Sequence, residues 1–96
     1  MPLVFEWNDK KARNNHRKHG VSFDEACTVF DDPLAFIFLD EDHSEGETRE
    51  IIIGHSIVRR LLVVSFTTRS SDHIRIISAR LATRRERSDY ENYLQK

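Results

Sequence analysis

The apolar positions of this chain change period along its length. "VFEW" (residues 4–7) is a short apolar segment with the look of a first strand. "DKKARNNHRKH" (9–19) follows and is polar almost throughout. Asn8 or Asp9 can cap a helix there, and Gly20 suits the left-handed position that ends one. Ala12 and the imidazoles of His16 and His19 are the only inward-facing candidates, so this helix is expected on the surface. In "VSFDEACTVF" (21–30), Phe23, Ala26, Cys27 and Phe30 recur at i, i+3, i+4 and i+7. That is the stripe of an amphipathic helix. Ser22 and Glu25 offer it an S-x-x-E capping box, and "DDP" ends it.

A period of two then takes over. "LAFIFLD" (34–40) is a continuous apolar run of strand length, and "DEDHSEGE" (40–47) is an acidic loop. "TREIIIGH" (48–55), "RLLVVSFTTR" (60–69) and "HIRIISAR" (73–80) read as three strands. Their short links predict antiparallel hairpins. Thr83 and Glu86 make a second capping box, opening a last helix, "RRERSDYENYL", on which Tyr90 and Leu94 share a face. The order predicts one α+β domain over residues 1–96. It has a short strand, two N-terminal helices, an antiparallel meander sheet and a C-terminal helix. The first two helices should cover one sheet face and leave the other partly open.

Composition sharpens this only in part. A chain of 96 residues buries one modest core. With Cys27 as its one cysteine it makes no internal disulfide, and a thiol within an apolar stripe is inert. No run suits a signal peptide or a membrane span, so the expected location is the cytoplasm. The net charge of −1 hides an asymmetry. Residues 1–48 hold 5 Lys+Arg and 11 Asp+Glu; residues 49–96 hold 10 and 5, and nine of those ten cations are arginine. Arginine binds phosphate bidentately and stacks on bases, as lysine cannot.

Pairing Arg69 with Ile74 across the "SSDH" turn sets Thr67 against Ile76, Ser65 against Ser78 and Val63 against Arg80. One face then reads Arg69, Thr67, Ser65, Ser78, Arg80. The other carries Thr68, Phe66, Val64 and Leu62 with Arg75, Ile77 and Ala79, the better core. On the preceding strand, Glu47, Arg49, Ile51, Ile53 and His55 share a side. Small polar residues flanked by guanidiniums leave room for a ligand. RNA cleavage through its own 2′-hydroxyl needs a base for that hydroxyl, cations on the crowded phosphorane and an acid for the departing 5′ oxygen. His, Glu and Arg supply these without metal.

"KHGVSFDEACTVFDDP" (18–33), "EGETR" to "IGHS" (45–56), "LLVVSFTTR" (61–69) and "IRIISARLATRRERSDY" (74–90) together resemble BrnT-type toxins of bacterial toxin–antitoxin modules. Glu86, Arg87 and Tyr90 form the E-R-x-x-Y part of that signature. The resemblance implies a RelE-like ribonuclease fold and RNA cleavage that inhibits translation and growth; that the cleavage is metal-independent, with no cofactor, is expected from the missing ligand spacing and the arginine-rich face. It also implies a ribbon-helix-helix antitoxin, BrnA-like, in a 2:2 heterotetramer, with DNA contacted only through that antitoxin. The motif positions it carries are His19, Glu47, Arg49, Arg69 and Arg80 as catalytic candidates, and Lys18, Arg75 and Tyr90 as RNA contacts. In the competing assignment His19 only closes a helix end, and Arg80 and Arg87 pair with acids such as Glu86 and Glu91. His55 and His73 lie outside the motif.

Two other classes compete. A non-catalytic module that docks a protein or nucleic acid fits the near-neutral charge, because nonspecific RNA binders are usually more basic. A metal hydrolase lacks histidines and carboxylates at ligand spacing; His43 in the acidic loop has no second histidine beside it.

Overall fold

The computed structural model describes residues 2–43 and 47–95, so the middle of the acidic loop, 44–46, lies outside the described residues. The elements are β1 (Val4–Glu6), α1 (Asp9–His19), α2 (Phe23–Thr28), β2 (Phe36–Leu39), β3 (Glu50–His55), β4 (Leu61–Ser70), β5 (His73–Leu81) and α3 (Arg84–Leu94). The sheet runs β1-β5-β4-β3-β2, with β1 parallel to β5 and the rest an antiparallel meander. This is the expected α+β class.

Local chemistry sets the helix ends. The Asn8 side chain accepts from the Lys11 amide, and Gly20 closes α1 at φ 70°. Thr83 and Glu86 form a complete capping box on α3. The box expected on α2 is half made. Ser22 accepts from the Glu25 amide at 3.0 Å, but the Glu25 carboxylate turns outward to the β3–β4 turn. There it accepts from Ser56 Oγ at 2.7 Å and pairs with the Arg60 guanidinium. Hydrogen bonding from Arg60 holds the Glu25 carboxyl below its ordinary range.

The core lies in two layers. Between the sheet and the first two helices, Val21, Phe23, Ala26 and Val29 pack on Ile52, Leu62, Val64, Phe66, Ile74, Ile76 and Ala79. On the opposite face, Tyr90 of α3 packs with Ile53, Leu61 and Val63. After Thr28 the chain tightens into a 3₁₀ turn, Val29–Asp31. That buries Val29 completely and leaves Phe30 half-buried, where its ring meets Phe5 and Phe66 at 5.1 and 5.0 Å. Cys27 is half-buried, and burial pushes its thiol up to about 12, as suits an inert cysteine.

Two expectations need correction. The inward anchor of α1 is Asn15, 8% exposed, while His16 is exposed and His19 half-buried. Asn15 Nδ2 donates to Val21 O (3.0 Å) and Ala79 O (2.8 Å), and its Oδ1 accepts from the Ala79 amide (3.1 Å). A polar helix is thus stitched to β5 by one buried amide. The apolar run at 34–40 forms a strand as expected, and that strand lies at the sheet edge with Ile37, Phe38 and Leu39 exposed. The second correction is that the β4–β5 register holds only in part. Val63 faces Arg80 and Ser65 faces Ser78 as expected, but Phe66 faces Ile76, making Ile77 the extra residue of a bulge. Beyond it Thr67 faces Arg75, and Arg69 is the extra residue of a second irregularity. A strict alternation would bury either Ile74 and Ile76 or Ala79; the bulge buries all three.

Candidate active site

The sheet face that α3 partly covers changes character across its width. On β2 and β3 it is apolar: Phe36, Phe38, Ile51 and Ile53. On β4 and β5 it turns polar: Ser65, Thr67, Ser78, Arg75 and Arg80. Moving Arg75 onto this face is the work of the bulge, since the unshifted register would have put it against the helices.

Arg80 sits where the two halves meet. Its guanidinium donates to both oxygens of Glu86 on α3, at 2.6 and 2.8 Å. Glu86 Oε1 also accepts from the Thr83 amide at 2.9 Å. One carboxylate therefore caps α3 and fixes the fork of Arg80. The Arg80 guanidinium, then the Thr83 amide, hold the Glu86 carboxyl down at about 2. A carboxyl depressed in the folded state stabilises it above the ordinary value of 4.5, and that stability is lost as pH falls through the folded value. The gap in melting temperature between wild type and Glu86→Gln is thus expected to narrow between about pH 4.5 and about pH 2. Thermal melts across that window check it; a constant gap would contradict the pairing.

The other cations of this face are also tied. Arg75 Nη1 meets Glu6 of β1 at 3.1 Å, and Arg69 Nη1 meets Glu47 at 3.3 Å. The Arg69–Glu47 pair is half exposed on both sides and so holds weakly. Arg49, just before β3, is half-buried, and its carbonyl accepts from the Asp40 amide at 2.9 Å. Glu47, Thr48, Thr67, Thr68 and Arg69 line an open depression of about 480 Å³ at this end of the sheet. The Thr67 hydroxyl beside it is buried and has no hydrogen-bond partner among the described residues.

The expected site residues fall into three groups. Arg69, Arg75, Arg80, Glu47 and Arg49 belong to β3, β4, β5 or their ends. His19 and Lys18 belong to the end of α1, which packs on the other sheet face, so the fold does not bring them to this set. Tyr90 is core. It is 2% exposed, stacked on Phe36 at 5.6 Å and met edge-on by His55 at 5.7 Å. Packed in this way its ring takes no stacked base, and the surface it still presents is part of the wall of a groove it shares with Phe36 and Phe38. His55 shares this side of the sheet, at the far end of β3, with its amide donating to Asp32 at 2.7 Å. His73 is held by Asp72 and Ser70 in the β4–β5 turn.

Sequence reasoning missed a second feature. Phe36, Phe38, Ile51, Ile53, Val63 and Tyr90 wall a groove of about 240 Å³ between α3 and the sheet, rimmed by Arg80, Glu86 and Asp89. Phe36 and Phe38 stand two apart, as residues on one side of a strand must. That spacing was the available signal, once α3 is known to cross above it.

Among the described residues no helix is long and apolar enough to cross a membrane, and no three His, Cys, Asp or Glu side chains cluster as metal ligands. A family model described as "Ribonuclease toxin, BrnT, of type II toxin-antitoxin system" matches residues 7–86. The crystal structure of the Brucella abortus ribonuclease toxin BrnT is similar in fold, with a TM-score of 0.63 and 23% identity. The match covers 88% of this chain and 99% of that one. No curated protein matches the chain at significance.

Proposed function

The chain belongs to the BrnT family of type II toxin–antitoxin ribonuclease toxins, and on that premise we propose that it cleaves RNA without metal, through attack of the 2′-hydroxyl on the neighbouring phosphate. The observation that carries this reading is the polar half of the open face. There the small side chains of Ser65 and Ser78 lie between Arg80 and Arg75, with Thr67, itself buried, opposite Arg75 and with Arg69 and Arg49 at the end of the face. Arg80 stabilises the charge that develops on the phosphorane through Nε–H and the second Nη2 hydrogen, the donors left over by Glu86 and the Leu81 carbonyl, while Glu86 fixes the plane of the guanidinium. Arg75, Arg69 and Arg49 hold the flanking phosphates. An incoming phosphate competes for Arg69 and Arg75 with exposed carboxylates, an exchange that costs little at a solvated pair. Release of Glu47 from Arg69 leaves a carboxylate beside the bound backbone, and it takes the proton of the 2′-hydroxyl; as the O2′–P bond forms the P–O5′ bond breaks, and the departing 5′ oxygen takes a proton from solvent water. His19 and Lys18 then act at a distance, on RNA passing the end of α1, or on the helix end alone.

The reaction halts translation in the cytoplasm, and the whole of residues 1–96 acts as one toxin domain. A BrnA-like ribbon-helix-helix antitoxin covers the arginine-bearing face, contacts operator DNA on behalf of both chains, and brings two toxins together in a 2:2 assembly. Expression of this chain alone is expected to arrest growth, and co-expression of the neighbouring open reading frame to relieve it. Light scattering of the co-purified pair should give the two-plus-two mass. Unimpaired growth, or a one-to-one mass, would count against the respective part.

A further inference from the structure

We propose that the groove between α3 and the sheet is a base subsite that takes a guanine of the RNA. This rests on the reading of the substrate as RNA, and adds to it which part of the substrate lies where.

Size and lining come first. At about 240 Å³ the groove falls below the roughly 300–1,000 Å³ of drug-sized pockets and suits one planar ring system. Its walls are apolar. Phe36 is already sandwiched, with Tyr90 at 5.6 Å and Tyr93 at 4.3 Å, whereas Phe38 is 45% exposed and offers a ring for stacking. Unpaired RNA bases are commonly held this way, on aromatic side chains with their edges hydrogen-bonded.

The rim selects the base. It carries one guanidinium and two carboxylates, Arg80, Glu86 and Asp89, so its net charge repels phosphate and leaves the groove to a neutral base. Glu86 is fully engaged with Arg80 and the Thr83 amide. The Asp89 carboxylate has no hydrogen bond or ion pair among the described residues. A free carboxylate presents two acceptors side by side. Guanine alone offers two adjacent donors on its Watson–Crick edge, N1–H and the 2-amino group. Adenine and cytosine set an acceptor nitrogen next to their amino donor, and uracil flanks its one donor with two acceptors. The Asp89 carboxylate therefore fits guanine. The sugar and phosphate then leave toward Arg80 and the polar half of the face.

Amide NMR of the full chain titrated with GMP, AMP, CMP and UMP tests this. GMP is expected to bind in the millimolar range and to shift β2 and the α3 turn around Asp89, with the other three weaker. Asp89→Asn, at an exposed and unpaired position, should fold normally. It should lose GMP affinity on the order of tenfold to a hundredfold, since one acceptor becomes a donor. Four nucleotides binding alike, shifts away from the groove, or undiminished GMP binding by Asp89→Asn would each overturn the subsite. RNA cleavage by the same preparation separates the two readings. Groove binding of GMP without any cleavage would contradict the ribonuclease and leave the subsite standing. Cleavage with no preference for guanine, unaltered in Asp89→Asn, would overturn the subsite alone.

Discussion

Arg80→Lys is expected to fold and to bind RNA, yet to cleave it about 100- to 1000-fold more slowly than wild type. Lysine keeps the charge but loses the planar fork that two parallel hydrogen bonds require. In the free protein the Nη1 and Nη2 groups span both oxygens of Glu86, at 2.6 and 2.8 Å, which leaves Nε–H and the second Nη2 hydrogen as the parallel pair for a phosphoryl group. The rival account makes Arg80 a structural tie between β5 and α3. The two accounts part over Glu86→Gln, which weakens the tie and leaves the guanidinium in place. A structural Arg80 requires both variants to lose stability and activity in step. A catalytic Arg80 requires Arg80→Lys to lose far more activity than its melting temperature explains. A stable Arg80→Ala protein with full activity would remove this residue from the site.

The largest effect on stability is expected at Asn15. Asn15→Ala leaves the Val21 carbonyl and both backbone groups of Ala79 without the partners they now have in the core. Each buried group left unsatisfied costs about 1–3 kcal/mol. A total of about 3–5 kcal/mol would be a large part of the 5–15 kcal/mol that stabilises a typical domain. The melting temperature should fall on the order of 15–30 °C. A variant melting within a few degrees of wild type would show that α1 is held by its apolar contacts instead.

Asn15 also shows where the sequence stops being readable. Its neighbours on α1 are polar and exposed, and nothing in the pattern marks one amide as buried. Only the arrival of Ala79, 64 positions later, makes it an anchor. The ends of α1 and α3 were readable because Asn8, Gly20, Thr83 and Glu86 act on backbone groups within a few residues of themselves. The strands of the meander were readable because their period is local too. The place of β2 was not, since a continuous apolar run reads the same at the centre of a sheet and at its edge. Gly54 hints at the packing there. A Cβ on it would lie 2.6 Å from that of Ala35, so β3 and the approach to β2 come together too closely for a side chain.

The site was legible to the same degree. Val63, Ser65, Ser78 and Arg80 share the expected face because their register lies on the near side of the bulge. Arg75 was placed on the wrong side because no glycine or proline marks Ile77; the bulge follows from the competition of Ile74, Ile76 and Ala79 for one core. Glu86 was read as a cap and as one possible partner of Arg80, and it is both. His19 lay close in motif to the arginines but stands on the far layer, a separation that only the sheet topology decides. The concentration of arginines in residues 74–90 has a mixed explanation. Arg75 and Arg80 point to one sheet face and meet carboxylates there, while Arg84, Arg85 and Arg87 lie exposed on α3.

The proposed cleavage of RNA by these side chains needs no metal and runs through the substrate's own 2′-hydroxyl. Its most direct test is the chemistry of the new ends. End-labelled RNA is incubated with the purified chain in excess EDTA, and the products are resolved by mass. Cleavage is expected to continue undiminished by the chelator, leaving a 2′,3′-cyclic phosphate or the monophosphate from its hydrolysis beside a 5′-hydroxyl. Cleavage that stops with EDTA and returns with Mg²⁺ or Zn²⁺, leaving a 3′-hydroxyl and a 5′-phosphate, would contradict it.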